Sequence, residues 1–275
     1  MAFFTEPEPE RGKIHEVAEG VFRLVARNPS KMTYHGTNTY LMPDGDGYIL
    51  LDPGPVTDDE HVKDILRATD GRIHTILISH GHADHFGALP ELRKHTRADV
   101  YAFRLPMVAT IEPDAVLDHG DQVGPLTALH TPGHAPDHLC FARKDGLVFT
   151  ADHVMGWSSS VVSPPNGDMR AYIASLDLLI GRNDTLYLPG HGPAIPAPRH
   201  YVEELKLRRI LRENEILDAL QRGPASTDIL RQTLYHKVDP VLQAAAERNV
   251  MAHLAKLQAE GKVSQDDELW FATTP

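Results

Sequence analysis

Ser79-His80-Gly81-His82-Ala83-Asp84-His85 decides how this chain is read. The stretch has the form H-x-H-x-D-H. Three further donors follow it: His134 in the TPGH of 131–134, Asp152 in the FTAD of 149–152, and His191 in the LPGHG of 188–192. Imidazole nitrogens and carboxylate oxygens are the donors that zinc and its divalent neighbours accept. In an extended segment, residues two apart point the same way, so His80 and His82 can grip one ion from one side. Asp84 and His85 stand one step further on, where the chain turns into a helix, and can face a second ion. His134 completes the first site, His191 the second, and Asp152 can bridge both with its two oxygens. An isolated histidine is usually an ordinary surface or core imidazole. Seven donors arriving in this order require many independent coincidences.

Composition narrows the setting. A length of 275 residues suits one large domain with a small appendage. With 41% hydrophobic and 24% charged residues the chain is globular rather than disordered. The single Cys140 excludes an internal disulfide and a cysteine-rich zinc module, and it fits a reducing compartment. Its place in the apolar run His138–Phe141 reads as a buried strand residue, not a nucleophile. The opening MAFFTEPEPERGK has no apolar stretch behind a basic head, and no run approaches ~20 apolar residues. A cytoplasmic protein without a membrane partner is expected. The net charge is −11, and from Lys206 onward basic and acidic residues balance, so the deficit lies in the ligand-bearing part. Such a charge disfavours loose binding to phosphates, and bound cations would offset part of it.

Hydrophobic patterning predicts strands at 21–26, 39–42 and 48–51, with the turn Pro43–Gly47 between the last two. Thr57-Asp58-Asp59-Glu60 reads as a capping box for a helix to about Ala68. The apolar run 73–79 reads as a strand covered on both faces. A helix over 86–95 follows the histidine motif. Strands are expected near 100–103, 126–130, 138–143, 147–151 and 185–188, with a helix at 169–180. Prolines 193, 196 and 198 then close the strand region, dividing a catalytic domain at 1–198 from a helical domain at 199–275. In the latter, helices at 199–221, 227–235 and from Asp239 and Pro240 to Gly261 precede a small hairpin, which is the order of a winged helix. Arg209, Arg212 and Arg222 interleave with Glu213, Glu215 and Asp218, as on a solvated helical face. The apolar series of that helix needs a partner surface, so the segment is expected to pack on the catalytic domain, shaping the cleft or a subunit contact.

The motifs LLDPG (50–54), SHGHADH, TPGH, FTAD and LPGHG resemble those of the metallo-β-lactamase-fold superfamily. The resemblance implies an α+β fold, an αββα sandwich with two metals at one edge. By resemblance His80, His82 and His134 hold one ion, Asp84, His85 and His191 the other, and Asp152 lies between. Asp52 is then an orienting residue behind a ligand, or else a plain strand-end turn residue. A closer similarity, to the beta-lactamase-like protein 2 branch with its winged-helix-like tail, rests on GTNTYL (36–41), PNGDMRAYIASLDLL (165–179), PGHGP and HLAKLQAEGKV (253–263). Animal members of that branch include a mitochondrial endoribonuclease. From the opening residues no mitochondrial-type leader is expected, and the chain carries SHGHADHFG, the commoner hydrolase form.

The expected function is a hydrolase in which a hydroxide shared by two divalent ions, zinc first and iron or manganese as alternatives, attacks a small-molecule ester, lactone, thioester or amide. Asp84 is the catalytic candidate, relaying a proton in addition to ligating. One alternative is a metal-dependent endoribonuclease or phosphodiesterase acting on single-stranded RNA. A second is a non-enzymatic regulator whose winged helix binds DNA. An open, water-accessible site would favour the enzymes, because structural zinc sites are closed by protein ligands. The tail lacks a clear basic face, so DNA is not the expected partner, while self-association stays open. Lesser candidates are His153, which either reaches substrate or packs, Asp137-His138, which either orient His134 or pack, and Trp157 with Ser158–Ser160. Tyr34, His35, Thr37 and Asn38 either line the cleft or form a self-satisfied turn.

Overall fold

The computed structural model describes residues 3–273. Its contacts divide the chain into two compact units. The first holds the chain up to Thr131, Asp137–Ser159 and Asn183–Pro198, and the second holds Pro132–Pro136, Ser160–Arg182 and the chain from Arg199 onward.

In the first unit, β1 (His15–Ala18), β2 (Val21–Val25), β3 (Asn38–Asp44) and β4 (Gly47–Leu51) form an antiparallel meander. Helix α1 (Asp59–Thr69) then leads to β5 (Ile73–Leu77), and α2 (Ala83–Phe86) and α3 (Leu89–His95) lead to β6 (Asp99–Phe103) and β7 (Ala115–Leu117). Strands β4 to β7 are parallel, which requires crossovers such as these helices. The resulting sheet has seven strands in chain order. A second, six-stranded sheet is built from β8 (Gln122–Val123), β9 (Leu126–His130), β10 (Leu139–Arg143), β11 (Leu147–Ala151), β12 (Leu186–Pro189) and β13 (Ile195–Pro196).

Alternation along the strands explains how the sheets face each other. Tyr40, Met42, Ile49, Leu51 and Leu77 of the first sheet join Phe141, Leu147, Phe149 and Leu188 of the second in one core. On the other face of the first sheet, Leu41, Leu50 and Ile76 pack against Val62 and Ile65 of α1 and Leu89 and Leu92 of α3. Burial on both faces accounts for the unbroken apolar runs of the central strands.

The second unit contains α4 (Met169–Ile180), α5 (Arg199–Arg222), β14 (Ala225–Ser226), α6 (Thr227–Leu234), α7 (Gln243–Ala259), β15 (Val263–Asp266) and β16 (Leu269–Ala272). Ile216, Leu220, Leu230, Val250, Leu254, Leu257 and Trp270 form its core. The three short strands pair in the order β14-β16-β15, giving the wing. The α+β fold with a C-terminal winged helix is as expected. Among the described residues no helix is long and apolar enough to cross a membrane.

Local details differ from expectation for identifiable reasons. Asp58, not Thr57, caps α1, because its carboxylate accepts from the His61 amide at 3.0 Å and also from the Arg27 amide at 2.5 Å. The single helix expected over 86–95 is two, since the His85 carbonyl accepts from Gly54 N and the Gly54 carbonyl accepts from Ala88 N. Asp239 and Pro240 open a 3-10 turn, and α7 proper starts at Gln243. Five short strands (β1, β7, β8, β13 and β14) carry too few residues to show a pattern. On α5 the charges are not all solvated: Arg209 and Glu213 are buried, whereas Leu207, Ile210 and Leu211 are exposed.

Phe149 is fully enclosed in the inter-sheet core and stacks edge-on against Tyr40 at 5.1 Å. Phe149→Ala is expected to lower unfolding free energy by about 3–5 kcal/mol in urea titration. A loss below about 1 kcal/mol would contradict this core assignment.

Candidate metal centre

The ends of four strands in the first unit deliver most of the site. Strand β4 stops at Leu51, and Asp52 takes a left-handed backbone (φ 55°) that turns its carboxylate toward the loop after β5. That carboxylate accepts from Ser79 N at 2.8 Å, Ser79 Oγ at 2.7 Å and His85 Nδ1 at 2.8 Å. Asp52 is therefore a support behind the donors, holding the first and last residues of the motif together. With the proton of His85 on Nδ1, its Nε2 is left as a lone-pair donor. This Nε2 is buried, makes no hydrogen bond, and lies 3.4 Å from Asp152 Oδ1 and 3.7 Å from Asp84 Oδ2.

His191 repeats the arrangement from another strand end. Its Nδ1 donates to the Gly36 carbonyl at 3.2 Å, and its Nε2 stands 3.2 Å from Asp84 Oδ2 and 3.4 Å from Asp152 Oδ1. Asp152 follows β11 through Ala151, another left-handed residue at φ 41°. Gly190 must lack a side chain here, because a Cβ would fall 2.7 Å from both Asp152 Oδ1 and His85 Cε1. Two groups of donor atoms thus gather within 4.8 Å of one another, Asp84 with His85 and His191, and His80 with His85 and Asp152. His80 is oriented by Ser79 Oγ at its Nδ1 (2.9 Å), and its Nε2 lies 2.9 Å from His82 Nδ1. His134 belongs to the second unit, where its Nδ1 donates to the Val161 carbonyl at 2.7 Å and leaves Nε2 as its donor.

The electrostatics suit a cation. For His191, burial opposes the imidazolium, yet Asp152 and Asp84 outweigh burial and hold its pKa up at about 9. For His85 burial likewise opposes the charge, and Asp152, Asp84 and Asp52 raise it well above the ordinary histidine value. The carboxyls of Asp84 and Asp152 are pushed up by burial and pulled further down by the two imidazoles. Positive charge at this point is strongly stabilised. Anchored outer nitrogens, a buried inward Nε2 without a hydrogen bond, and two ionised carboxylates fit divalent metal ions in both donor type and charge.

The early loop does more than the sequence showed. Asn38 donates its amide N–H to the Gly190 carbonyl at 2.7 Å and its side-chain NH2 to the Pro189 and Gly192 carbonyls, each at 2.9 Å. GTNTYL is therefore the brace of the His191 loop. Thr37 N donates to Asn28 Oδ1 at 2.9 Å. Asp137 Oδ2 accepts from Met107 N at 2.7 Å, His138 Nδ1 meets Thr131 Oγ1 at 2.9 Å, and His153 is fully buried. Tyr34 and Trp157 rings lie 5.1 Å apart, with Trp157 against Gly192.

Two outcomes follow from this geometry. Asp52→Ala is expected to weaken metal affinity by about 10–100-fold in chelator competition, with the fold retained by circular dichroism; unchanged affinity would contradict the support role. The raised His191 value also gives a signed pH effect. Its folded pKa of about 9 exceeds the ordinary 6.5, so its contribution to stability is full below pH 6.5 and lost as pH rises through 9. The melting temperature of chelator-stripped protein should fall across that window, and a flat or rising profile would count against the buried imidazolium.

Residues 32–191 match the metallo-beta-lactamase superfamily, and residues 226–270 match the beta-lactamase associated winged helix domain. The beta-lactamase-like protein 2 homolog of Drosophila melanogaster is 30% identical, over 94% of this chain and 95% of that protein. An atrochrysone carboxyl ACP thioesterase of Aspergillus chevalieri is 31% identical, over 93% of this chain and 86% of that protein. A crystal structure of a beta-lactamase domain protein from Burkholderia ambifaria superposes with a TM-score of 0.81 at 22% identity, covering 96% of this chain and 95% of that one, a likeness of fold. The chain belongs to the metallo-beta-lactamase superfamily and carries the winged helix domain associated with it.

Proposed function

We propose that this protein is a hydrolase that uses two divalent metal ions, zinc first among the candidates, to cleave a thioester or a related ester, lactone or amide of a small molecule. The observation that carries the reading is the convergence of His85 Nε2 and His191 Nε2 on the oxygens of Asp84 and Asp152. In this assignment His80, His82 and His134 hold one ion, Asp84, His85 and His191 the other, and Asp152 serves both. When bound, such ions supply a nucleophile near neutral pH and polarise the scissile carbonyl.

The chain's own residues do the rest. Asp84 is 31% exposed, whereas its partners His85 and His191 are enclosed. It is the carboxylate that solvent and substrate can reach, and it takes the proton from the attacking water. Access of this kind supports an enzyme over a purely structural or sensing metal site, whose ligands close around the ion. Trp157 and Tyr34, beside the His191 loop, supply an apolar wall suited to an acyl group. The thioester preference rests on the thioesterase relative, which aligns with nearly the whole chain. The acidic charge of the ligand-bearing part speaks against RNA, whose binding requires neutralised phosphates. Catalysis is assigned to residues 1–198, with 199–275 in support, and the single, buried Cys140 is in keeping with a cytoplasmic setting.

Metal analysis of purified protein, followed by assays on acyl thioesters, esters, lactones, β-lactams and single-stranded RNA, tests the proposal. Two ions per chain and turnover of a thioester or ester are expected. RNA cleavage faster than any acyl substrate would replace this reading with a phosphodiesterase. Asp84→Ala should lose one ion and lower kcat/KM by about 10–100-fold or more. Two ions and normal turnover in that variant would defeat the role given to Asp84.

A further inference from the structure

We infer that Arg209 on α5 and Asn249 on α7 are positioning residues for His134, through the segment Ser160–Val162. The inference rests on the assignment of His134 as a metal ligand, and every contact behind it lies within the second unit.

His134 sits on a short loop docked against α4. Asp168 N donates to the Gly133 carbonyl at 2.9 Å, and Ser175 Oγ donates to the Pro132 carbonyl at 2.8 Å. Gly133 has φ +138°, and a Cβ there would fall 2.3 Å from Tyr172 Cα, so the loop is pressed onto the helix. These contacts locate the His134 backbone but do not aim its ring. The ring is aimed by the bond from Nδ1 to the Val161 carbonyl. That bond chooses the tautomer and turns Nε2 outward.

Val161 lies outside any helix or strand, so no ladder holds its carbonyl in direction. It is held instead through the N–H of its own peptide group, that of Val162, and through the carbonyl of the peptide before it, that of Ser160. Arg209 Nη2 donates to the Ser160 carbonyl at 2.5 Å, and Val162 N donates to Asn249 Oδ1 at 3.0 Å. Asn249 Oδ1 also accepts from Arg209 Nη1 at 3.4 Å, which ties the two grips together. Arg209 is 6% exposed and lies over the Tyr172 ring at 5.1 Å, on the same helix that carries the His134 loop. Among the described residues this guanidinium makes no ion pair. Burying a charge without a counter-ion is expensive, and here the charge is directed at one main-chain oxygen and one side-chain oxygen. The winged-helix tail thereby reaches a metal ligand through one intervening peptide.

A second buried network offers an internal control. Glu213, one turn along α5 from Arg209, pairs with Lys256 at 2.7 Å and with His253 at 3.2 Å on α7. It joins the same two helices.

The test compares full-length Arg209→Met, Asn249→Ala, Glu213→Gln and His134→Ala with the parent chain. Each is loaded with zinc and titrated against a chromophoric chelator, and thermal melts are recorded in parallel. Arg209→Met and Asn249→Ala are expected to weaken one of two ions by about 10–100-fold, the usual effect of removing support behind a ligand, and to leave the other unchanged. Glu213→Gln should lower the melting temperature without that loss. Asn249→Ala removes no charge and keeps the test decisive should Arg209→Met fail to fold. Parent-like affinity for both ions in the Arg209 and Asn249 variants, or equal metal loss in Glu213→Gln at a matched drop in melting temperature, would overturn the inference. His134→Ala separates the two levels. Loss of an ion there, with intact binding in the Arg209 and Asn249 variants, defeats only the positioning role. Full binding in His134→Ala itself defeats the ligand assignment.

Discussion

Asp52 sits where β4 ends, buried, with a left-handed backbone and three hydrogen bonds arriving at its two side-chain oxygens. Its main-chain carbonyl accepts a fourth, from Thr39 Oγ1 at 2.6 Å on β3. Along 79–82 the motif loop lies outside the strands, and besides the bond from Leu139 N to the Ser79 carbonyl at 2.7 Å it is this neighbouring strand end that sets its path. A carboxylate suits the position because it accepts without donating, and can serve Ser79 N, Ser79 Oγ and His85 Nδ1 at once. An amide in its place would present donors to groups that are themselves donors. The geometry of the H-x-H-x-D-H stretch therefore depends on a residue 27 positions earlier.

A comparable anchor recurs at three histidines, whereas His80 is oriented by its neighbour Ser79. His85 gives its Nδ1 proton to Asp52, His191 to the Gly36 carbonyl, and His134 to the Val161 carbonyl. Each acceptor comes from a different stretch of chain, 33, 155 and 27 residues away. Orientation of the donors is thus a property of tertiary structure. It also supplies the charge: the carboxylates of Asp84 and Asp152 stay ionised because imidazolium protons, or cations in their place, lie against them.

Much of this was legible beforehand. The candidate donors stand out because metal ligation calls for a few residue types at turns, and turns leave glycines and prolines beside them, as in TPGH and LPGHG. Central strands were legible from unbroken apolar runs, which burial on both faces demands. What sequence could not show was the partner of each anchoring atom. Ser79 and Asn38 are ordinary turn residues on paper, and their roles follow from bonds to Asp52 and to the Pro189–Gly192 backbone. Short edge strands such as β7 and β8 were invisible because two or three residues carry no period. The split between α2 and α3 follows from backbone bonds with Gly54, which no local propensity encodes.

The long helix α5 shows where reading charge by spacing fails. Arg209 and Glu213 stand four apart, which on an exposed face would be a helical ion pair. Both instead turn inward to different partners. Burial pushes the Glu213 carboxyl up, and its bonds to His253 and Lys256 outweigh that and hold it below the usual range. Burial also lowers His253, favouring a neutral imidazole beside that carboxylate. Meanwhile Leu207, Ile210 and Leu211 of the same helix are exposed, so apolar spacing misleads as much as charge spacing does. Enclosed charge is a poor way to gain stability, since apolar packing of equal volume commonly does as well or better. Its advantage is direction. A guanidinium fixes oxygen acceptors at defined angles, which an apolar side chain cannot do. The acceptors of Arg209 are the Ser160 carbonyl and Asn249 Oδ1, which together hold the backbone beside the Val161 carbonyl that receives the His134 Nδ1 proton. A buried charge in the tail thus serves the direction of one imidazole.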